Sequence, residues 1–318
     1  MIYIRTNPDK GPYDGCRGDV VMNFGDLVVR RSYGGDVTFR VEGVQQNTAI
    51  IKGTDFRLLA DSPLGDLVRV PHPTTSERTK QAQIKANESL TRLQQYHQEQ
   101  SERRLADLRT EWGTGEKGYF DVPGKVLHLD GDPLYLKKSL SLYNQLRVPA
   151  EGHHIHESSM AEALYRMLPR VRPDIVVITG HDGVLKRPQT RDLYSLESYK
   201  NSQNFVQAIQ VARQYERNRD TLVIVAGACQ SHFEALLQAG ANFASSPGRV
   251  LIHALDPVYV AAKTAYTSVR ETVNMNDVLH NTISGSQGVG GIETRGTYRI
   301  GLPRLNDLST LKVTPSVS

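Results

Sequence analysis

Two residues 48 positions apart, His181 and Cys229, are of the types that a nucleophile and its base require. Each follows directly on an apolar block. Asp174-Ile175-Val176-Val177-Ile178-Thr179 runs into Gly180-His181-Asp182-Gly183, and Thr221-Leu222-Val223-Ile224-Val225-Ala226 runs into Gly227-Ala228-Cys229-Gln230-Ser231. If the two blocks are parallel strands joined by a right-handed crossover, they are neighbours, and His181 and Cys229 stand side by side above one edge of the sheet. Ser231-His232-Phe233-Glu234 reads as a capping box with Ser231 as N-cap, and Gly240 supplies a helix stop. Cys229 is then expected at a helix N-terminus, where free N–H groups and the dipole favour a thiolate. A cysteine among apolar residues is by itself more often buried and inert, and the strand-end histidine is what weighs against that reading. Order discriminates further. A nucleophile-elbow hydrolase needs glycine two residues after the nucleophile and a later histidine; here Ser231 holds that place and the histidine comes first, which also reverses the papain-like order. A histidine about 50 residues ahead of an Ala-Cys pair is the caspase arrangement, and Ala228-Cys229 fits it.

Other candidates carry weaker signals. His153, His154 and His156 crowd together beside Glu157, but no second ligand pair has zinc-site spacing, so neither a metal nor a cofactor is expected. His232 follows the nucleophile closely, yet a helical placement points it away from the His181 strand. Asn242 and Ser245-Ser246-Pro247 are expected to shape a cleft wall, and Glu293 and Arg295 to be structural.

The elements that must position these residues can be read along the 318-residue chain, a length that suggests about two domains. Residues 1–22 are dense in turn formers and read as a flexible arm, or as sequence ahead of a natural start at Met22, which makes Cys16 a bystander. Short apolar runs at 27–30, 37–41, 49–51 and 56–59, separated by turn signals, predict a small SH3-like β-barrel over 23–70, a docking module without a titratable cluster fit for chemistry. Residues 71–118 read as a polar helical linker. Leu90, Leu93, Leu105 and Leu108 form a thin stripe on its 77–110 helix, which is a solvated spacer or a surface for self-association. Over 119–303, strands near 125–129, 148–155, 174–179, 221–226 and 249–254 alternate with helices near 133–146, 159–170, 203–217 and 231–239. That alternation predicts an α/β domain, a parallel sheet flanked by helices. The Gly-rich stretch after 284 is uninformative, and 304–318 reads as a flexible tail. With 39% hydrophobic and 23% charged residues and a net charge of +4 from scattered basic residues, the composition excludes a disordered chain and gives no argument for a nucleic-acid partner. No run approaches the ~18 apolar residues of a membrane span. Two cysteines make no disulfide framework, so an intracellular site of synthesis is expected.

Residues 23–303 closely resemble the YabG family of sporulation-specific cysteine proteases of spore-forming Firmicutes. The resemblance is carried by Gly25-Asp26-Leu27-Val28, Pro123-Gly124-Lys125-Val126-Leu127-His128-Leu129-Asp130-Gly131-Asp132, Ile178-Thr179-Gly180-His181-Asp182, the stretch 226–234 around Ala228-Cys229, Ala241–Pro247, Ile252–Tyr259 and Gly290–Gly296. It implies a protease made in the mother-cell cytoplasm and then associated with the spore coat. Its substrates would be coat and cortex morphogenetic proteins, cut after basic residues, with His181 and Cys229 as the catalytic pair. The strand-end His and Ala-Cys blocks are similar, more distantly, to caspase-like enzymes. Those usually carry Gly directly after the His, whose N–H helps to form the oxyanion hole; here Asp182 intervenes, so the donor beside the Cys229 N–H is either Asp182 or Gly183. Preference for a basic residue calls for a buried carboxylate. With strand order 2-1-3-4-5, Asp130 is the first choice and Asp256 the second, while Asp132 is either a further ligand or simply the cap of the helix beginning at Pro133. Two other functions remain open at this point: a non-catalytic coat assembly scaffold, and a thiol amidase acting on peptidoglycan.

Overall fold

The apolar blocks ahead of His181 and Cys229 pair as parallel neighbours in the computed structural model, which describes residues 22–72, 77–112, 120–185 and 192–301. The expected arm over 1–21, the linker end at 113–118 and the tail over 304–318 lie outside the described residues.

The chain begins with five antiparallel strands, β1 (Leu27–Arg30), β2 (Thr38–Gln45), β3 (Thr48–Gly53), β4 (Leu59–Pro63) and β5 (Leu67–Arg69), in the sheet order β4-β3-β2-β1-β5. Val28, Phe39, Val41, Ala49 and Ile51 turn inward from these strands. The core that they form also contains Phe56, Ile252 and Cys229, so the small sheet packs directly on the Cys229 loop. The run at 56–59, expected to be a barrel strand, is instead a connection. Strand β4 starts at Leu59, and Phe56–Leu58 leave the small sheet to bond with the rest of the chain.

Helix α1 (Glu77–Trp112) is long, as its polar pattern predicts, but its N-terminal half is no solvated spacer. Ala82, Ala86, Ser89 and Leu93 are buried. Tyr259 donates its hydroxyl to the Ala86 carbonyl (2.9 Å), Arg92 donates to the His280 carbonyl (2.8 Å), and Lys263 stands 3.2 Å from the centre of the Tyr96 ring. Leu90 packs against the same core; the side chains of Leu105 and Leu108 lie outside the described ones.

The remainder is an α/β unit: β6 (Phe120–Val122), β7 (Val126–Asp130), α2 (Pro133–Gln145), β8 (Ala150–His154), α3 (Met160–Val171), β9 (Ile175–Thr179), α4 (Ser202–Tyr215), β10 (Val223–Ala226), α5 (Phe233–Ala239), β11 (Phe243–Ser245), α6 (Asp256–Tyr266), α7 (Met275–Asn281), α8 (Gly285–Gly288), β12 (Val289–Gly291) and β13 (Arg299–Gly301). Strand order is β12-β11-β10-β9-β7-β8, parallel except for β12, while β13 pairs with β6. Alternate residues of the central strands feed two cores, as a sheet covered on both faces requires. Val126, Ile175, Val177, Val223 and Val225 meet α1, α2, α6 and α7, whereas Leu127, Leu129, Val176, Ile178 and Ile224 meet α3, α4 and α5. No helix among the described residues is long and apolar enough to cross a membrane.

The fifth strand is the element that the sequence pattern misplaces. Arg249–Ala254 does not join the sheet; β11 does, only three residues long, with Phe243 opposite Val225 and Ala244 opposite Ala226. Ser246 and Arg249 then take left-handed backbone angles (φ 70° and 53°) that turn the chain away, and Val250–Ala254 bonds instead to Gln230, Arg57 and Asp55. The Gly-rich stretch supplies the sheet edge, β12. A side chain at Gly291 would strike the Asn242 carbonyl, so only glycine permits this pairing.

Asn242 fastens that edge. Its amide oxygen accepts from Ile224 N–H (2.9 Å) and Arg213 (2.6 Å), while its amide nitrogen donates to the Arg219 carbonyl and Thr294 Oγ1 (both 2.9 Å). Asn242→Ala strands several buried polar groups at once and is expected to cost about 2–4 kcal/mol of stability, read as a lower urea midpoint. A midpoint unchanged from wild type would show that the network contributes nothing.

Candidate active site

Strand β10 is followed by Gly227 (φ 111°), and the next turn carries Gln230 in the left-handed region (φ 57°), an unfavourable angle for a residue with a side chain. Between them sits Cys229, fully buried. Its Sγ accepts from the Ile252 N–H (3.1 Å) and donates to the Ile252 carbonyl (3.5 Å). Burial pushes the thiol well above its usual range, with the Ile252 hydrogen bond opposing. The expected helix-terminal thiolate is therefore not the resting form. Ser231 is also not the helix cap. Its hydroxyl accepts from Ala228 N–H and donates to Asp182 (both 2.9 Å), and His232 caps α5 instead, its Nδ1 accepting from Ala235 N–H (3.3 Å). The Ser231–Asp182 bond ties the exit of β10 to the exit of β9.

His181 leaves β9 beside that tie and is fully buried. Its main-chain N–H donates to Glu157 Oε1 (2.9 Å), and its ring stacks on Tyr135 with centroids 5.1 Å apart. Side chains at Gly131 or Gly180 would collide with the Glu157 carboxylate, so both glycines make room for it. Among the described residues neither ring nitrogen of His181 has a hydrogen-bond partner, and Asp132 Oδ2 stands 3.8 Å from Nε2. Burial lowers the imidazole pKa to about 3, against the opposing pull of Asp132. Thiol and imidazole are thus both neutral.

Arg57, from the small sheet's β3–β4 connection, fills the space that these groups surround. Its carbonyl accepts from the Cys229 N–H (3.1 Å) and the Asp182 N–H (3.3 Å), and its own N–H donates to the Ile252 carbonyl (3.3 Å). The guanidinium grips Asp130 with two bonds, Nη1 to Oδ1 (3.1 Å) and Nη2 to Oδ2 (2.9 Å), and donates to the Ala254 carbonyl through Nε (3.0 Å) and Nη2 (2.8 Å). Both side chains are wholly buried. Burial alone would raise the Asp130 carboxyl, but Arg57, helped by His128, holds it far below the ordinary carboxylate range. Thr179 Oγ1 (3.1 Å) and the Asp132 N–H (3.0 Å) add further donors to Asp130.

The other predicted residues have different partners. Asp132 caps α2, accepting from Leu134 N–H (2.8 Å) and Tyr135 N–H (3.2 Å), and also pairs with Arg40 (3.2 Å). Asp256 accepts from Ile283 N–H (2.6 Å), Ser284 N–H (3.2 Å) and His253 N–H (3.3 Å), with its pKa pushed up to about 6 by burial; it makes no bond to Arg57 among the described contacts. The Gly183 N–H donates to its neighbour's Oδ1 (2.8 Å) and not to the Arg57 carbonyl. Asp182 itself is held by Ser202, Ser231 and the Asn201 N–H. His232 Nε2 bonds to the Tyr194 carbonyl (2.9 Å). His153 pairs with Glu151, His156 accepts from Ser158 N–H, and among the described residues no group of three or more His, Cys, Asp or Glu gathers to hold a metal ion. Sequence reasoning missed Arg57, Tyr135, Glu157 and Ile252. Only Arg57 offered a signal, as a lone charge inside the apolar run Phe56-Arg57-Leu58-Leu59.

The site is thus a thiol and an imidazole at the carboxyl ends of adjacent strands of a doubly covered parallel sheet, the place where open α/β sheets carry their functional residues, with the buried Arg57–Asp130 pair beside them. Residues 23–303 match the family described as YabG peptidase U57. The sporulation-specific protease YabG of Bacillus subtilis (strain 168) is 47% identical over 287 residues, which cover 89% of this chain and 98% of that protein. The chain belongs to the YabG peptidase family, and a peptidase, rather than a scaffold, is what that membership supports.

The buried histidines set an acid dependence. His181 takes its proton near pH 6.5 in the unfolded chain but only near pH 3 in the fold, and His253 is lowered to about 4 by the same cause, burial. Between these values the unfolded chain binds more protons, so stability falls as pH drops from about 6.5. At pH 5 the His181 contribution is a loss of about 2 kcal/mol relative to pH 7. Urea midpoints at the two pH values are expected to differ less in His181→Gln than in wild type; an equal difference would contradict a neutral, buried imidazole.

Proposed function

We propose that the chain is a cysteine endopeptidase of sporulation that cuts after basic residues and processes spore coat and cortex morphogenetic proteins. The observation that carries the reading is the seat of Arg57. Two N–H groups converge on its carbonyl oxygen while a buried carboxylate holds its guanidinium, which is what a protease cutting after arginine must offer the residue before the scissile bond.

In this reading a substrate arginine takes the place of Arg57. Asp130 accepts the guanidinium bidentately, and the Ala254 carbonyl takes two of the remaining N–H directions. Cys229 Sγ attacks the carbonyl carbon, its proton passing to His181, and the oxygen that becomes negative lies between the Cys229 and Asp182 N–H groups. His181 protonates the departing amine, leaving a thioester on Cys229. Water, deprotonated by His181, then releases the new carboxylate and restores the thiol. Asp132, 3.8 Å from Nε2, stabilises the imidazolium in both halves of the cycle. Of the two oxyanion donors left open by the sequence, the Asp182 N–H is favoured, since the Gly183 N–H is spent on the Asp182 carboxylate.

Cys229→Ala is expected to abolish turnover of arginyl peptides while the protein stays folded, His181→Ala to lose several orders of magnitude, and Cys16→Ala to be silent. Asp130→Asn is expected to lower kcat/KM for cleavage after arginine by at least ~100-fold, about 2.7 kcal/mol of transition-state binding, with iodoacetamide labelling of Cys229 no slower than in the wild type. Full activity in Cys229→Ala would sink the thiol mechanism, and an unchanged arginine preference in Asp130→Asn would move the pocket elsewhere.

A further inference from the structure

The β3–β4 connection bonds to the cleft on both sides of Arg57. Before it, Phe56 pairs antiparallel with His253, and the Arg57 N–H reaches the Ile252 carbonyl. After it, Leu58 pairs parallel with Asp182, and the Leu59 N–H donates to the Asp182 carbonyl (2.9 Å). Main-chain pairing along a cleft, with one side chain deep in a pocket, is how an extended peptide is recognised. Here the peptide belongs to the same chain.

The groups around it are not arranged for attack. The Leu58 N–H, the nitrogen that would leave, is held in a tight turn around Arg57 by a 2.7 Å bond to the Phe56 carbonyl, which Tyr135 also binds through its hydroxyl (2.9 Å). The thiol is engaged with both main-chain groups of Ile252, and neither ring nitrogen of His181 is hydrogen-bonded to it. The turn bends the chain where a substrate would run straight.

Resting on the cysteine-endopeptidase reading above, we infer that the β3–β4 connection is an intramolecular inhibitor: Arg57 occupies the arginine pocket and the oxyanion site, and the enzyme is latent until the connection withdraws. Tethering makes the occupant hard to displace, because its effective concentration is in the millimolar range for a short link. Withdrawal is nonetheless feasible. Beyond the connection's own main-chain and Arg57 bonds, the small sheet's segment is joined to the α/β unit by the apolar packing of Phe56 and its core on Cys229 and Ile252, by the Tyr135 hydroxyl on the Gly53 and Phe56 carbonyls, and by the pairs Arg40–Asp132 (3.2 Å), Lys138–Asp55 (3.1 Å) and Lys200–Asp61 (2.5 Å). Two of these pairs lie at the surface, where such pairs contribute little. Withdrawal of the 54–58 connection alone, with the small sheet left docked, is thus the smaller movement.

The test compares the full-length wild type with Arg57→Gln. Two rates are read: alkylation of Cys229 by iodoacetamide, followed at that residue by mass spectrometry, and turnover of an arginyl peptide. Arg57→Gln is expected to raise both by at least ~10-fold, with Arg57→Lys in between. Equal peptide turnover in wild type and Arg57→Gln overturns the inhibitor and leaves the protease reading intact. Turnover and arginyl-ketone labelling absent from every variant overturn the protease reading, and the inhibitor falls with it. Prompt cutting of the wild type between Arg57 and Leu58 also overturns the inhibitor, since the segment would then be a substrate. A second measurement needs no variant. When an arginyl chloromethyl ketone is bonded to Cys229 of the wild type, amides 57–59 should exchange hydrogen at least ~10-fold faster than in the free protein; unchanged protection contradicts displacement.

Discussion

The arrangement turns on one buried ion pair. Arg57 and Asp130 are both sealed from water, and either charge alone in that position would be destabilising by several kcal/mol. Their joint satisfaction depends on parts distant in sequence: a connection of the small sheet, the end of β7, the Ala254 carbonyl and the donors Thr179 and His128. The pair therefore specifies how the small antiparallel sheet docks on the α/β unit. It cannot be satisfied unless β7 and β9 are in register and the 250–254 segment has turned away from the sheet. The apolar contacts of Cys229 and Ile252 with the small sheet's core follow from that docking.

Docking also determines the electrostatics of the thiol and the imidazole. Burial drives both shifts, the thiol upward and the imidazole downward, and each favours the uncharged form. A thiolate–imidazolium pair is costly in such a place. Admitting water or the polar backbone of another peptide would move both groups back toward their ordinary values. The charge states of Cys229 and His181 are thus coupled to the position of a segment that contributes neither side chain.

How far the sequence discloses this depends on the kind of information each element needs. The strands ending at Thr179 and Ala226 are legible because a strand buried on both faces is a continuous apolar run, and the strand-end rule then marks His181 and Cys229. Asp130 is legible through its place at the end of β7. The three-residue β11 is not, since nothing in Phe243-Ala244-Ser245 outweighs the longer apolar run at 250–254; only the edge strand β12 and the Asn242 bonds make the short one sufficient. Ser231 reads as a cap by local pattern, and a tertiary partner, Asp182, claims its hydroxyl instead. Arg57 is hidden for the same reason. Its run has the look of a barrel strand, and a guanidinium's burial depends on a carboxylate 73 residues away.

The position of Arg57 in the chain has a consequence for biosynthesis. Translation proceeds from the N-terminus, and domains tend to fold in the order in which they emerge. The small sheet, complete by Arg69, precedes Asp130, His181 and Cys229, and the strand β12 that closes the sheet edge comes later still. Arg57 is consequently made before Asp130, Ala254 and the Cys229 loop to which it bonds. A nascent chain that brings Cys229 and His181 together therefore does so with Arg57 already present, and the Asp130 carboxylate is buried against a partner made 73 residues before it.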